Sequence, residues 1–262
     1  MSTLIPISRE THAHKFWRRP PNYGFASDQA LVPLSGTEVS SAAMALPLAF
    51  VVQDGLYVPV AVLGVEQGVS LYVSDDGRWL GRYIPASLRG YPFRLAQSQD
   101  KQMVLCFDSS SGLMTDEPSG EPIFGDDGQA SAGVNDLMQF LKQIEGARGM
   151  TMSACAALAK HSCIVPWKFA IKVDGVERTV DGLFQIDESA LNALPDDAFV
   201  ELRHASALPL AYCQLLSTRH ISELTGLAEQ KKVTHTPPLS SSSGVDLSFF
   251  SMGDTLILGG YE

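Results

Sequence analysis

The residues best suited to chemistry in this sequence are two arginines set among aromatics. They lie in the segment Trp79-Leu80-Gly81-Arg82-Tyr83-Ile84-Pro85-Ala86-Ser87-Leu88-Arg89-Gly90-Tyr91-Pro92-Phe93. A guanidinium is a planar fork that matches a carboxylate or a phosphate, and flanking aromatic rings supply apolar area with polar edges. Such a concentration in an acidic chain reads as a recognition surface. The competing reading is that the aromatics are core and that Arg82 and Arg89 pair with the chain's own acids. An aromatic-rich N-terminal stretch adds His12 and Tyr23. The candidate ligand- or partner-binding set is therefore His12, Tyr23, Trp79, Arg82, Tyr83, Arg89, Tyr91 and Phe93.

Motifs for catalysis and for metals are missing. The sequence has no G-x-x-x-x-G-K-[ST] and no G-x-G-x-x-G loop to cradle phosphates, and no G-x-S-x-G nucleophile turn. The nearest metal-like group is Cys155, His161 and Cys163, whose cysteines are separated by seven residues on apolar ground, which favours packing over zinc. His12 and His14 stand at i, i+2 in a stretch read as extended, with no third ligand fixed beside them. No catalytic residue, metal ligand or cofactor is assigned.

Composition bounds the rest. The chain has 262 residues, 45% hydrophobic and 18% charged, with a formal net charge of -10. It has ample material for a core, and on average it is repelled by nucleic acid and by anionic membranes. The longest apolar run, Ala42 to Val52, is far short of the ~20 residues of a membrane helix. The N-terminal stretch carries early charges and no apolar signal core, so a cytoplasmic location is expected. The four cysteines, Cys106, Cys155, Cys163 and Cys213, are dispersed in apolar stretches and read as buried free thiols.

The elements that must position these residues follow from pattern. Residues 1–26 read as an extended arm, because Pro20 and Pro21 oppose a helix. Thr37 is expected to cap a short helix that Pro47 stops. Leu48–Gln53, Asp54-Gly55 and Leu56–Val65 form a hairpin signal, with further strands at 69–74, 91–95 and 103–107. Residues 109–133 form a dense polar loop, and Asn135 is expected to cap a long helical stretch bent near Gly146 and Gly149. A second hairpin turns at Asp174-Gly175, and short helices fill 187–204 and 208–230. The fold class is α+β, a mainly antiparallel sheet from two hairpin-rich regions flanked by short helices and one long or kinked helix. A single domain is expected over 1–228, followed by a Ser/Pro-containing tail, 229–262, that could add an edge strand.

The order of these pieces resembles the SapC-like family of bacterial proteins named after an S-layer-associated gene cluster. The matching pieces are Glu10-Thr11-His12, NYGFA at 22–26, VPL at 32–34 followed by Glu38, LPLAF at 46–50 and VAVLGVEQGVSLYV at 60–73. The 79–93 block is the most specific, and LCFD (105–108), DGLFQID (181–187) and LPLAYCQLLS (208–217) follow. The middle of LPLAF departs from the family pattern, where a tyrosine and an isoleucine or valine are more typical, and the tail after residue 228 has no clear counterpart. The resemblance implies no established enzymatic activity. It implies a link to nutrient uptake or surface-layer biology, because relatives are often encoded beside TonB-dependent receptors and flavin-dependent halogenase-like proteins. Some relatives carry permease labels, which the missing membrane span opposes. The leading expectation is a non-enzymatic accessory protein with a protein partner, a halogenase-like or uptake-system protein among the candidates. A homodimer is compatible with it, and nucleic acid and membrane insertion are not expected. The alternative is a small-molecule binding protein or enzyme that holds a carboxylate or phosphate in an Arg/aromatic pocket.

Overall fold

The computed structural model describes residues 3–98, 102–173, 175–231 and 255–256. In chain order the elements are β1 (Leu4–Pro6), α1 (Arg9–His12), β2 (Phe16–Trp17), β3 (Leu31–Pro33), α2 (Val39–Ala43), β4 (Leu48–Gln53) and β5 (Leu56–Val62). Then come α3 (Ala86–Arg89), β6 (Phe93–Ser98), β7 (Met103–Asp108), β8 (Met114–Thr115), β9 (Glu121–Pro122), α4 (Ala132–Gly146) and α5 (Arg148–Lys160). The rest are β10 (Ile164–Val173), β11 (Val176–Ile186), α6 (Glu188–Asn192), α7 (Asp196–His204), α8 (Ala207–Ser217), α9 (Ile221–Lys231) and β12 (Thr255–Leu256). The fold is α+β, and no described helix is long and apolar enough to cross a membrane.

The chain divides into two compact units. One holds Met1–Pro21, Arg89–Gly146 and Ser251–Glu262; the other holds Asn22–Leu88 and Ala147–Phe250. In the first, β1, β7 and β6 form an antiparallel sheet, and β12 pairs in parallel with β6. Its core is aromatic: Phe93 meets Trp17 and Phe107 edge-on, each at 4.9 Å between ring centroids. Edge-to-face rings of this kind add roughly 1 kcal/mol to their burial. A second, small sheet sets β2 between β8 and β9.

The larger unit is built on a five-stranded antiparallel sheet in the order β10-β11-β4-β5-β3. The β4–β5 hairpin closes on Asp54 and Gly55, both at positive φ (51° and 77°), the mirror-image turn whose twist suits flanking strands. An ion pair joins the buried Glu66, in the loop after β5, to the partly buried Arg178 of β11. Helices α2, α5 and α8 pack beside this sheet, and α8 is pinned to it by two polar side chains. Gln214 accepts from the Ile186 N–H (2.9 Å) and donates to the Leu48 carbonyl (3.1 Å), while Ser217 Oγ accepts from the Leu48 N–H (3.0 Å).

Several local expectations change on contact with the structure. The N-terminal arm holds a helical turn, α1, between two short strands. Segment 109–133 is a paired region: β8 and β9 flank β2, and a bridge joins Phe124 to Ala130. Thr37 does not cap α2. Its hydroxyl meets Ser35 Oγ at 2.8 Å, and the helix starts after Glu38. Asn135 lies inside α4 and its amide donates to the Ala130 carbonyl, whereas Ser131 Oγ accepts from the Val134 N–H. The helical run of 132–160 is interrupted at Ala147. Segment 69–74 makes only isolated bridges. Of the second hairpin's expected turn, Asp174 lies outside the described residues.

Candidate functional site

The expected site residues fall in both units. Tyr23, Trp79, Arg82 and Tyr83 belong to the larger one, and His12, Arg89, Tyr91 and Phe93 to the smaller.

In the larger unit the segment 78–83 alternates. Trp79 and Tyr83 turn inward, whereas Arg78, Leu80 and Arg82 face solvent. Trp79 stacks on Tyr72 at 5.7 Å, contacts Tyr23 at 5.8 Å and donates its indole N–H to the Tyr83 carbonyl at 3.0 Å. Burial, together with the Glu223 carboxylate, pushes the Tyr72 phenol well above its ordinary range. Tyr83 donates to Glu38, a carboxylate only 5% exposed. Outward, Leu80 is 46% exposed, and Arg78 pairs with Asp76 at 2.7 Å. Arg82 makes no hydrogen bond or ion pair among the described residues.

In the smaller unit Phe93 is core, and the Arg89 guanidinium lies 4.9 Å over the Phe140 ring. Tyr91 has its phenol raised by burial and by the Asp108 carboxylate, with Ser111 bonded to it in partial opposition. His12 is buried, and its Nδ1 lies 2.6 Å from Thr11 Oγ1, so its ring is fixed by its own helical turn.

A cleft that sequence patterns do not announce lies between α2, α5 and α8. It has a volume of about 260 Å³, and among the described residues no charged one lines it. Val39, Ala147, Met150, Ala154, Pro209 and Leu210 make it apolar, with Thr37, Ser40, Ser206 and Cys213 adding small polar groups. The walls approach closely at Gly36, whose N–H donates to Thr151 Oγ1 at 2.8 Å; a Cβ there would lie 2.7 Å from that oxygen. Met150 stands at the rim, 61% exposed. Cys213 is the one cysteine of the four that is not buried, and its partial burial raises the thiol's pKa. The α2 wall is held from behind by His220, whose Nε2 lies 3.2 Å from the Ala43 carbonyl. Segments 36–40, 147–154 and 206–213 are far apart in sequence, and the residues they contribute to the lining are small, apolar or weakly polar. No short motif could have pointed to them.

Among the described residues no group of three or more His, Cys, Asp or Glu side chains is placed to hold a metal ion. The SapC family model matches residues 7–224, most of the chain and all of the cleft walls. The chain belongs to the SapC family. Neither the curated proteins nor the solved structures contain a significant match to it. Within the SapC match lie the outward strip of Arg78, Leu80 and Arg82, the carboxylate of Glu38 behind it, and Gln214 on α8.

Proposed function

We propose that this SapC-family chain is a non-enzymatic accessory protein of the cytoplasm that works by binding a protein partner. The observation that carries this reading is the strip Arg78-Leu80-Arg82, where an exposed leucine sits between two exposed arginines and Arg82 has no ion pair among the described residues. In a chain of net charge -10, an arginine with no ion pair among the described residues is available to an external acid. Its planar fork suits a carboxylate on a partner surface, and Leu80 offers apolar area beside it. Trp79 and Tyr83 take part as supports, since their packing fixes the backbone from which Leu80 and Arg82 project. A role around nutrient uptake or the surface layer is the setting that the family resemblance supports.

The test is affinity capture from the native cell's lysate with wild type and with a Leu80→Asp/Arg82→Glu variant. Both residues are exposed, so each substitution is expected to change stability by no more than about 0.5 kcal/mol. Wild type is expected to retain a specific protein that the variant loses. Identical capture by both would contradict the reading.

A further inference from the structure

The strip leaves the cleft between α2, α5 and α8 without a role. We propose that this cleft is a binding site for a small, neutral, largely hydrocarbon molecule of one or two rings bearing a single hydroxyl or carbonyl. The site does not depend on the partner strip.

The ligand class follows from size and lining. A cavity of roughly 150 Å³ already admits benzene, so about 260 Å³ leaves room for a second ring or a short substituent. None of the described lining residues carries a charge. An ionised group entering the cleft would lose water and gain no counter-charge from the lining residues, which disfavours carboxylates, phosphates and amines. The apolar wall of Val39, Ala154, Pro209 and Leu210 suits a hydrocarbon body, and the hydroxyls of Thr37 and Ser40 stand at the exposed side to meet one polar group. Met150 at the rim is unbranched and adapts its shape to an occupant.

Cys213 supplies a local readout. It lines the cleft and is partly accessible, whereas Cys106, Cys155 and Cys163 are buried. A thiol reagent therefore labels Cys213 first, and an occupant of the cleft shields it.

The experiment uses the full chain with 1-naphthol as probe and naphthalene-1-sulfonate as its charged counterpart. Calorimetry is expected to give saturable one-to-one binding of 1-naphthol, with the sulfonate weaker by about tenfold or more, equivalent to about 1.4 kcal/mol. Saturating 1-naphthol is expected to slow Cys213 labelling severalfold. Ser40→Trp, placed at an exposed lining position, is expected to fill the mouth and abolish both effects while the free protein unfolds at an unchanged temperature. The proposal is overturned if Cys213 labelling ignores the probe, or if the sulfonate binds equally well. Undiminished binding by Ser40→Trp would overturn it too. Labelling that slows with protein concentration alone would assign the cleft to a second copy of the chain and would also overturn it.

Discussion

Tyr83 donates its phenolic hydroxyl to Glu38 Oε2 at 2.9 Å, across 45 positions of sequence. The same carboxylate accepts from the Ala86 N–H at 2.7 Å and, through Oε1, from the Ser35 N–H at 3.0 Å. One buried acid thus ties the 79–86 segment to the start of α2, so the outward strip and one wall of the cleft share an anchor.

This arrangement predicts unequal costs for two substitutions. Tyr83→Phe removes one hydrogen bond to the buried Glu38 carboxyl and is expected to cost about 1 kcal/mol. Glu38→Ala strands three donors at once and is expected to cost about twice that or more, since each buried unsatisfied group costs roughly 1–3 kcal/mol. Urea unfolding of both variants measures the difference; equal midpoints would show that Glu38 does not hold the segment.

Gln214 makes a similar demand on α8. Replacing it with leucine keeps the volume but leaves the Ile186 N–H and the Leu48 carbonyl without partners inside the sheet. Gln214→Leu is expected to destabilise the protein by about 2–4 kcal/mol, read from its denaturation midpoint. A neutral result would mean that α8 is held on the sheet without Gln214.

Much of this fold is legible in the sequence, and the reasons differ by element. The β4–β5 hairpin announces itself because Asp54-Gly55 supplies the turn between two apolar runs. The inward and outward faces of 78–83 were also readable, since Trp79 and Tyr83 alternate with Arg78, Leu80 and Arg82 at the period of an extended chain. Charge and ring chemistry drew attention to Trp79 and Tyr83 as a surface, while the period points them inward. Glu38 was not legible, because an acid beside a short apolar helix has no local mark of burial; its three donors come from elsewhere in the fold. The cleft was illegible for a plainer reason: its walls are uncharged small and aliphatic side chains drawn singly from three distant segments.

The cysteines give a pH dependence of known sign. Burial pushes the Cys155 thiol up to about 12 and the Cys106 thiol up to about 11, from 9.0. Below about pH 9 both thiols are protonated whether the chain is folded or unfolded, and their contribution is fully present. As pH rises further, the unfolded chain ionises first, so stability is lost through the window from about 9 to about 12. At about pH 10.5 the loss from Cys155 is expected to be about 2 kcal/mol relative to about pH 8. A Cys155→Ala variant is expected to lose correspondingly less over the same interval in urea titrations. Equal losses in both proteins would contradict the burial of this thiol.

The measurement closest to the central claim is site-specific photo-crosslinking in the native cell, with a benzophenone amino acid at position 80 and, separately, at exposed position 229 on α9. A protein that works through its 78–82 strip yields a discrete adduct with one partner protein from position 80 and none from position 229. No adduct from position 80, or the same adducts from both positions, would contradict the account.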